Sequence, residues 1–279
     1  MKKVVSIQDI SCIGKCSLTV ALPIISAMGV ETAIIPTAVL STHTAFQKGW
    51  TFRDLTADIA PICAHWKKEG FHFDALYSGY LGSFEQIDLT AQLFADFRGR
   101  DTLVLVDPAM ADNGSLYPGF TKEFALHMAK LCGKADIIVP NLTEAGFLLG
   151  EPYLDSAYTE QDVRRVLKEL AALGCPKPVL TGIQLEAGKE GVYAYDAKQD
   201  SWFTYSTRHL PVRYHGTGDI FASTLCGALV RGRGFEESLR IACDFVVRCI
   251  ELTEAEPDHN WYGVNFEQAL PDLIQRLGR

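Results

Sequence analysis

The chain has 279 residues and a formal net charge of −8, from 26 basic and 34 acidic side chains. Hydrophobic residues make up 48% and charged residues 22%, which suits a globular protein and excludes a disordered or collagen-like one. The acidic balance argues against a nucleic-acid binder, which needs a basic patch, and no apolar run approaches the roughly 20 residues of a membrane span.

In chain order, residues 4–7 read as a strand, and residues 17–28 as a helix ending at Gly29. Residues 32–39 are the next strand and residues 53–68 an amphipathic stretch. Ala75–Ser78 reads as a strand, Phe84–Phe97 as a helix, and Leu103–Val106 as a buried strand that stops at Asp107-Pro108. Residues 137–139 form another strand, residues 161–173 a helix closed by Gly174, and residues 178–181 a strand followed by Gly182. Residues 191–195 and 202–207 alternate like a hairpin, and residues 220–230 and 236–252 are two further helices. This alternation predicts an α/β fold: a mostly parallel sheet with helices on both faces and an antiparallel hairpin near the C-terminal end. No linker or repeat interrupts it, so a single domain over residues 1–279 is expected. Residues 112–119 are the most loop-like stretch and a candidate lid.

The eight cysteines stand mostly in apolar contexts and form no CxxC. Reduced, buried thiols are the expectation, in a cytoplasmic protein; Asp9 comes too early after Met1 for a leader sequence. Lys67-Lys68 and Arg164-Arg165 read as solvated helix faces, and the four tryptophans form no stripe.

Ligands of open α/β sheets sit outside the carboxyl ends of the strands. Here those ends carry Gln8-Asp9, Thr42-His43-Thr44, Gly79-Tyr80, Asp107, Asn141 and Thr181-Gly182. The segment richest in chemistry is His215-Gly216-Thr217-Gly218-Asp219. Its glycines allow a tight turn, the following helix presents free N–H groups, and Asp219 can face a hydroxyl as a base. Taken alone, the segment fits a plain capped turn equally well. Gly14-Lys15 resembles the end of a phosphate loop, but Asp9 and Cys16 occupy the positions of its first glycine and its magnesium-binding hydroxyl. Asp107, Asp112 and Glu144 form a loose acidic set of the kind that magnesium shares with phosphate oxygens. Each of the three also reads as a cap or loop residue.

An ordered series runs along nearly the whole chain. It comprises Ser6-Ile7-Gln8, Leu22-Pro23, Ser41-Thr42-His43-Thr44, Ser78-Gly79-Tyr80-Leu81-Gly82-Ser83 and Asp107-Pro108 with Asp112. Pro140-Asn141-Leu142-Thr143-Glu144 and Gly216-Thr217-Gly218-Asp219-Ile220-Phe221 complete it. This series resembles the pyridoxal kinases of the ribokinase-like superfamily. The resemblance implies a three-layer ribokinase-like fold and ATP-dependent phosphorylation of the 5′-hydroxymethyl group of a vitamin B6 compound. It implies Asp219 as the base, and the backbone of Gly216, Thr217 and Gly218 as the anion hole. Asp107, Asp112 and Glu144 fall in the magnesium and phosphate region. Asn141, Glu144, Thr181 and Thr217 line the nucleotide side, and Thr44 and Tyr80 face the pyridine ring. The stretch around Asp112 to Tyr117 matches the mobile loop of the family. ATP and magnesium are the implied cofactors, a monovalent cation is left open, and a homodimer is suggested.

Asp9 departs from the family, which usually has a serine there. A carboxylate suits a protonated pyridine nitrogen or the amine of pyridoxamine; it also suits a sugar hydroxyl. Hydroxymethylpyrimidine kinases often end the glycine turn with cysteine, so Asp219 weighs against that branch. A small-sugar kinase and a non-catalytic B6-binding protein are also compatible with the same residues. The ordinary carboxylate range, near pH 4, makes Asp219 ionised at neutral pH.

Overall fold

The structure is a computed structural model that describes residues 1–46, 49–152, 154 and 157–278. Its first half contains β1 (Lys3–Ser11), α1 (Leu18–Ala27), β2 (Glu31–Leu40), β3 (Phe52–Asp54), α2 (Thr56–Lys68), β4 (Ala75–Ser78), α3 (Phe84–Phe97) and β5 (Leu103–Val106). A small hairpin follows, β6 (Ala111–Asp112) and β7 (Ser115–Leu116), then α4 (Lys122–Cys132), β8 (Ile137–Ile138), α5 (Leu142–Leu149) and α6 (Glu160–Ala172). The chain continues with β9 (Lys177–Ile183), β10 (Lys189–Asp196), β11 (Ser201–Arg208), α7 (Thr217–Val230), α8 (Phe235–Glu254) and α9 (Phe266–Arg276).

The main sheet has the order β11-β10-β9-β8-β5-β4-β1-β2-β3. The run from β9 to β2 is parallel, and β10, β11 and β3 add antiparallel margins. Its strands are apolar on both faces because helices cover both. Val5, Leu76, Val104, Ile138 and Leu180 pack with side chains of α2, α3, α4, α5 and α6. Their neighbours Val4, Tyr77, Leu105, Ile137 and Val179 point the other way, toward α1, α7 and α8. α9 joins that second layer through Phe266, Ala269 and Leu273. The alternation of single residues along each strand thus builds the three layers.

The chain leaves β1 toward β2 on one side and returns to β4 on the other, which opens a crevice at the carboxyl ends of β1 and β4. β1 itself runs further than its apolar core suggests. Gln8 and Asp9 lie inside the strand rather than beyond it, because pairing with β2 continues from Gln8–Pro36 to Ile10–Val39. The register shifts between those pairs, and the extra residue of β2 falls opposite Asp9. Such a bulge re-aims side chains beside functional sites.

Candidate active site

The site is built from five segments that meet at this crevice. The first is the turn before α7. Gly216 caps that helix with φ 81°, and a Cβ there would stand 2.0 Å from the carbonyl oxygen of Lys15. Only glycine satisfies both the left-handed backbone and the close approach. The helix begins at Thr217, so Asp219 lies in its first turn, where N–H groups are unpaired. Gly216, Thr217 and Asp219 are half-buried and Gly218 is exposed, leaving the turn open to a ligand.

The second segment is β5 and its exit. Asp107 is 6% exposed, and a Cβ on Gly218 would sit 4.0 Å from Asp107 Oδ2. The turn therefore lies directly over this acid. Burial, with Glu144 and Asp219 nearby, pushes the Asp107 carboxyl well above the usual range. No donor among the described residues relieves it.

The third segment is the start of α5. Asn141 and Glu144 form a capping box: Asn141 N–H donates to Glu144 Oε2 at 2.9 Å, and Glu144 N–H donates to Asn141 Oδ1 at 2.9 Å. Glu144 Oε1 accepts from Met110 N–H at 3.1 Å, and Asn141 Nδ2 donates to the Ala111 carbonyl at 2.9 Å. Both side chains thus tie the strand exit at 110–111 to α5. Burial raises the Glu144 carboxyl despite these N–H donors. Thr181 is bridged to Asn141 across the parallel strands, with its N–H donating to Pro140 O at 3.0 Å.

The fourth segment is the stretch expected as a loop lid, which is instead the hairpin β6–β7. Asn113 and Gly114 form its turn with φ 50° and 77°. Asn113-Gly is a favoured two-residue hairpin turn because both positions need positive φ. Asp112 is exposed and accepts from Asn113 N–H and Nδ2, each at 2.8 Å. Gly114 N–H donates to Thr143 Oγ1 at 3.0 Å, and Arg213 donates to Asn113 Oδ1, so the hairpin tip reaches α5 and the segment before Gly216. Tyr117, expected only as the end of a mobile loop, has its phenol raised by burial and, beyond that, by the charges of Glu144, Asp112, Asp107 and Asp219 nearby. The three acids expected at a metal converge only loosely: no cluster of three metal-ligating side chains occurs among the described residues.

The fifth segment joins β1 and α1 to the turns around residues 43 and 80. Asp9 is 4% exposed; Ser11 Oγ donates to its Oδ2 at 3.0 Å, and burial raises its carboxyl. Tyr80 stands beside Asp9, with its phenol pushed up to about 12, and its ring meets Phe120 at 5.5 Å. Thr44 is exposed on the turn after His43, whose ring lies 4.8 Å from that of His215. His43 is buried, and burial lowers the pKa of its ring, with His215 adding to this and the Tyr262 carbonyl opposing it; Nδ1 accepts from Ala45 N–H at 3.1 Å and Nε2 pairs with the Tyr262 carbonyl at 3.1 Å. Trp50 and Trp261, read as unconnected in the sequence, line one depression with Phe46 beside this turn.

Asp219 itself does not behave as its sequence context suggests. Burial, with a smaller contribution from Asp9, pushes its carboxyl up to about 7, against one backbone hydrogen bond from Ser17 that lowers it. It is partly protonated at neutral pH, because loss of solvation outweighs the single donor.

The profile of the phosphomethylpyrimidine kinase family matches residues 22–265. A Bacteroides thetaiotaomicron protein, described as a candidate phosphomethylpyrimidine kinase and solved in one crystal form with pyridoxal, is 39% identical. It superposes with a TM-score of 0.92 over 98% of this chain and 95% of its own. A pyridoxal kinase of Lactobacillus plantarum is 30% identical, with a TM-score of 0.90 over 99% of this chain and 98% of its own. A pyridoxal kinase of Pasteurella multocida is 28% identical over 93% of this chain and 92% of its own. The chain belongs to the phosphomethylpyrimidine kinase family and shares the ribokinase-like fold of the pyridoxal kinases.

Proposed function

We propose that this member of a kinase family transfers the γ-phosphoryl group of ATP to the 5′-hydroxymethyl group of a vitamin B6 vitamer. The observation that carries the reading is the open glycine turn over Asp107 with Asp219 in the first turn of α7. Phosphoryl transfer asks mainly for alignment and charge neutralisation. Asp219 takes the proton of the hydroxyl, whose oxygen bonds to the γ-phosphorus as the bond to the β-phosphate oxygen breaks and ADP leaves. The N–H groups of Gly216, Thr217 and Gly218 hold the transferring oxygens. Asp9, Tyr80 and Thr44 hold the ring, and Asn141, Glu144 and Thr181 lie on the nucleotide side.

A buried acid without a hydrogen-bond donor fits a cation, so Asp107 would hold magnesium brought with the nucleotide, in the acidic region shared with Asp112 and Glu144. Magnesium, when bound, neutralises phosphate charge. The 39% identity to a protein solved with pyridoxal supports the B6 substrate. A second reading, a hydroxymethylpyrimidine kinase, is favoured by the family match. Both rings carry a hydroxymethyl group that Asp219 can deprotonate.

The test is ADP release from magnesium-ATP with pyridoxal, pyridoxamine, pyridoxine, hydroxymethylpyrimidine and ribose. Saturable turnover on a B6 vitamer, with pyridoxamine favoured through Asp9, is expected. Turnover confined to the pyrimidine or the sugar overturns the substrate, and vitamer binding without turnover on any of the five overturns the activity.

A further inference from the structure

Lys15, which the sequence places where a phosphate loop has its lysine, is engaged elsewhere. Its Nζ donates to Asn265 Oδ1 at 3.0 Å and to Glu267 Oε2 at 2.9 Å, and lies 5.8 Å from the centre of the Phe266 ring. The ammonium is thus tied to the end of the connection between α8 and α9, residues 255–265. Glu267 is 53% exposed, and an ion pair that water reaches contributes little. Asn265 is buried and held at two further atoms: its N–H donates to Thr253 Oγ1 at 2.7 Å and its Nδ2 to Glu256 Oε2 at 2.6 Å. Thr253 Oγ1 in turn donates to the Cys249 carbonyl at 2.7 Å, within α8. Asn265 is therefore a rigid anchor, and removing the lysine donor from its buried Oδ1 is costly. The carbonyl oxygen of the same lysine lies against the glycine turn, 2.0 Å from where a Cβ on Gly216 would stand. On the side of the connection, a Cβ on Gly263 would stand 2.6 Å from Lys15 Cβ and 3.3 Å from the Gly14 carbonyl oxygen. Lys15 is thus wedged between the turn and the connection, with glycine required on both sides. The connection reaches two more walls of the site. The Tyr262 carbonyl pairs with His43 Nε2, and His259 Nε2 pairs at 2.8 Å with the hydroxyl of Tyr214, whose carbonyl accepts from Thr217 Oγ1 at 3.3 Å.

We propose that Lys15 is a positioning residue for the glycine turn: its ammonium, anchored on Asn265, fixes the carbonyl against which Gly216 rests. It thereby fixes where the N–H groups of residues 216–218 meet the transferring phosphoryl group. The proposal rests on the kinase reading above. The backbone of Lys15 has φ 49°, a left-handed value that costs any residue with a Cβ, so the side-chain anchor opposes its relaxation. Donors that act on a transition state must be placed closely, and a shift of about 1 Å costs on the order of 100-fold in rate. The lysine thus serves phosphate chemistry through its backbone, while its charge is used behind the site.

The test compares Lys15→Met, which keeps the stem and removes the donors, with Asn265→Ala, the double variant and Glu267→Gln. In Lys15→Met, kcat should fall about tenfold, with KM for the ring substrate and for ATP within about twofold, the pattern of a contact made only in the transition state. Asn265→Ala should fall similarly, and the double variant no further, because the two act as a pair. Glu267→Gln should stay within about twofold of the wild type. Trapping of ADP, magnesium and the vitamer by aluminium fluoride, a mimic of the phosphoryl group in transfer, should weaken about tenfold in Lys15→Met per vitamer-binding site, with ADP binding unchanged. Wild-type kcat and trapping in a folded Lys15→Met protein overturn the proposal. So does a loss of kcat matched by a loss of vitamer-binding sites with trapping per site unchanged, which marks a role in stability alone. If the wild type turns over none of the five substrates, the kinase reading fails. The amide NMR signals of residues 216–218 then decide the positioning: they move in Lys15→Met and Asn265→Ala if Lys15 seats the turn, and stay in place if it does not.

Discussion

Asp219 reports most directly how the fold edits the chemistry of a residue. Its carboxyl is pushed up to about 7, chiefly by burial, so the rate of phosphorylation should rise with pH through an acid limb near that value. An unperturbed aspartate would place the limb near pH 4. A raised carboxyl also opposes folding once ionised. Below about pH 4 the folded and unfolded chains both hold the proton and the penalty is absent; it grows as pH rises and is full above about 7. Asp219→Asn should therefore abolish turnover, leave vitamer binding largely intact, and raise the melting temperature at about pH 8. That gain, at most about 4 kcal/mol, should fade toward pH 4. Thermal melts across that range check it. The positions of Asp219, Gly216 and Asp107 were legible because a glycine turn before a helix and an acid after a buried strand are local patterns. The perturbation of Asp219 was not legible, because its desolvation is set by the chain that folds around it, with the charge of Asp9 adding a smaller push. Tyr117 was missed for the same reason: the acids around it include Glu144 and Asp219, which come from elements far along the sequence.

Among elements, the β6–β7 hairpin is the one whose loss should uncouple function from stability. It forms its own two-stranded sheet, joined to the rest through Thr143, Arg213 and the strand exit at 110–111. Gly114 has φ 77°, so Gly114→Val should strain the turn by about 1–2 kcal/mol and loosen the hairpin without unfolding the main sheet. Faster proteolytic cleavage at residues 113–114, a several-fold rise in KM and a melting temperature within a few degrees of wild type are the expected outcome. Cleavage at the wild-type rate would show that the hairpin is held by contacts other than its turn. The Asn113-Gly114 pair was present in the sequence but lay inside a polar stretch too short to show strand alternation. Other elements were hidden for comparable reasons. α5 is only eight residues long and is buried over most of its surface, so it has no amphipathic period to read. α9 contains Pro271, a residue that argues against a helix interior. By contrast, β4, α3 and β5 matched their expected bounds, since each is a clear apolar run or period between turn residues.

At the scale of the molecule, the two helical layers determine which parts of the chain solvent reaches. The cysteines are free: Cys12 is exposed, Cys16 half-buried, and Cys63, Cys132, Cys175, Cys226, Cys243 and Cys249 are buried in the core. Burial raises the thiols of all the buried ones, which further suppresses thiolate formation. A thiol reagent should label Cys12 rapidly in the native protein, Cys16 more slowly, and the others only at the rate of unfolding. Fast native labelling of a core cysteine would contradict the packing described. No helix among the described residues is long and apolar enough to cross a membrane.

The order of the strands also bears on how the protein comes into being. β1 lies in the interior of the sheet, between β4 and β2, and its other face is covered by α1 and α7. Asp9 belongs to the first strand made, while Asp219 arrives with a helix that follows every strand of the sheet. During synthesis the apolar face of β1 and α1 must therefore wait, uncovered, until α7 emerges and docks. Contacts between such distant parts of a chain form slowly and leave apolar surface exposed meanwhile. The candidate site is thus incomplete in every nascent chain that stops short of α7, and the docking of α7 over β1 and α1 is the same step that brings Asp219 to the end of the sheet where Asp9 waits.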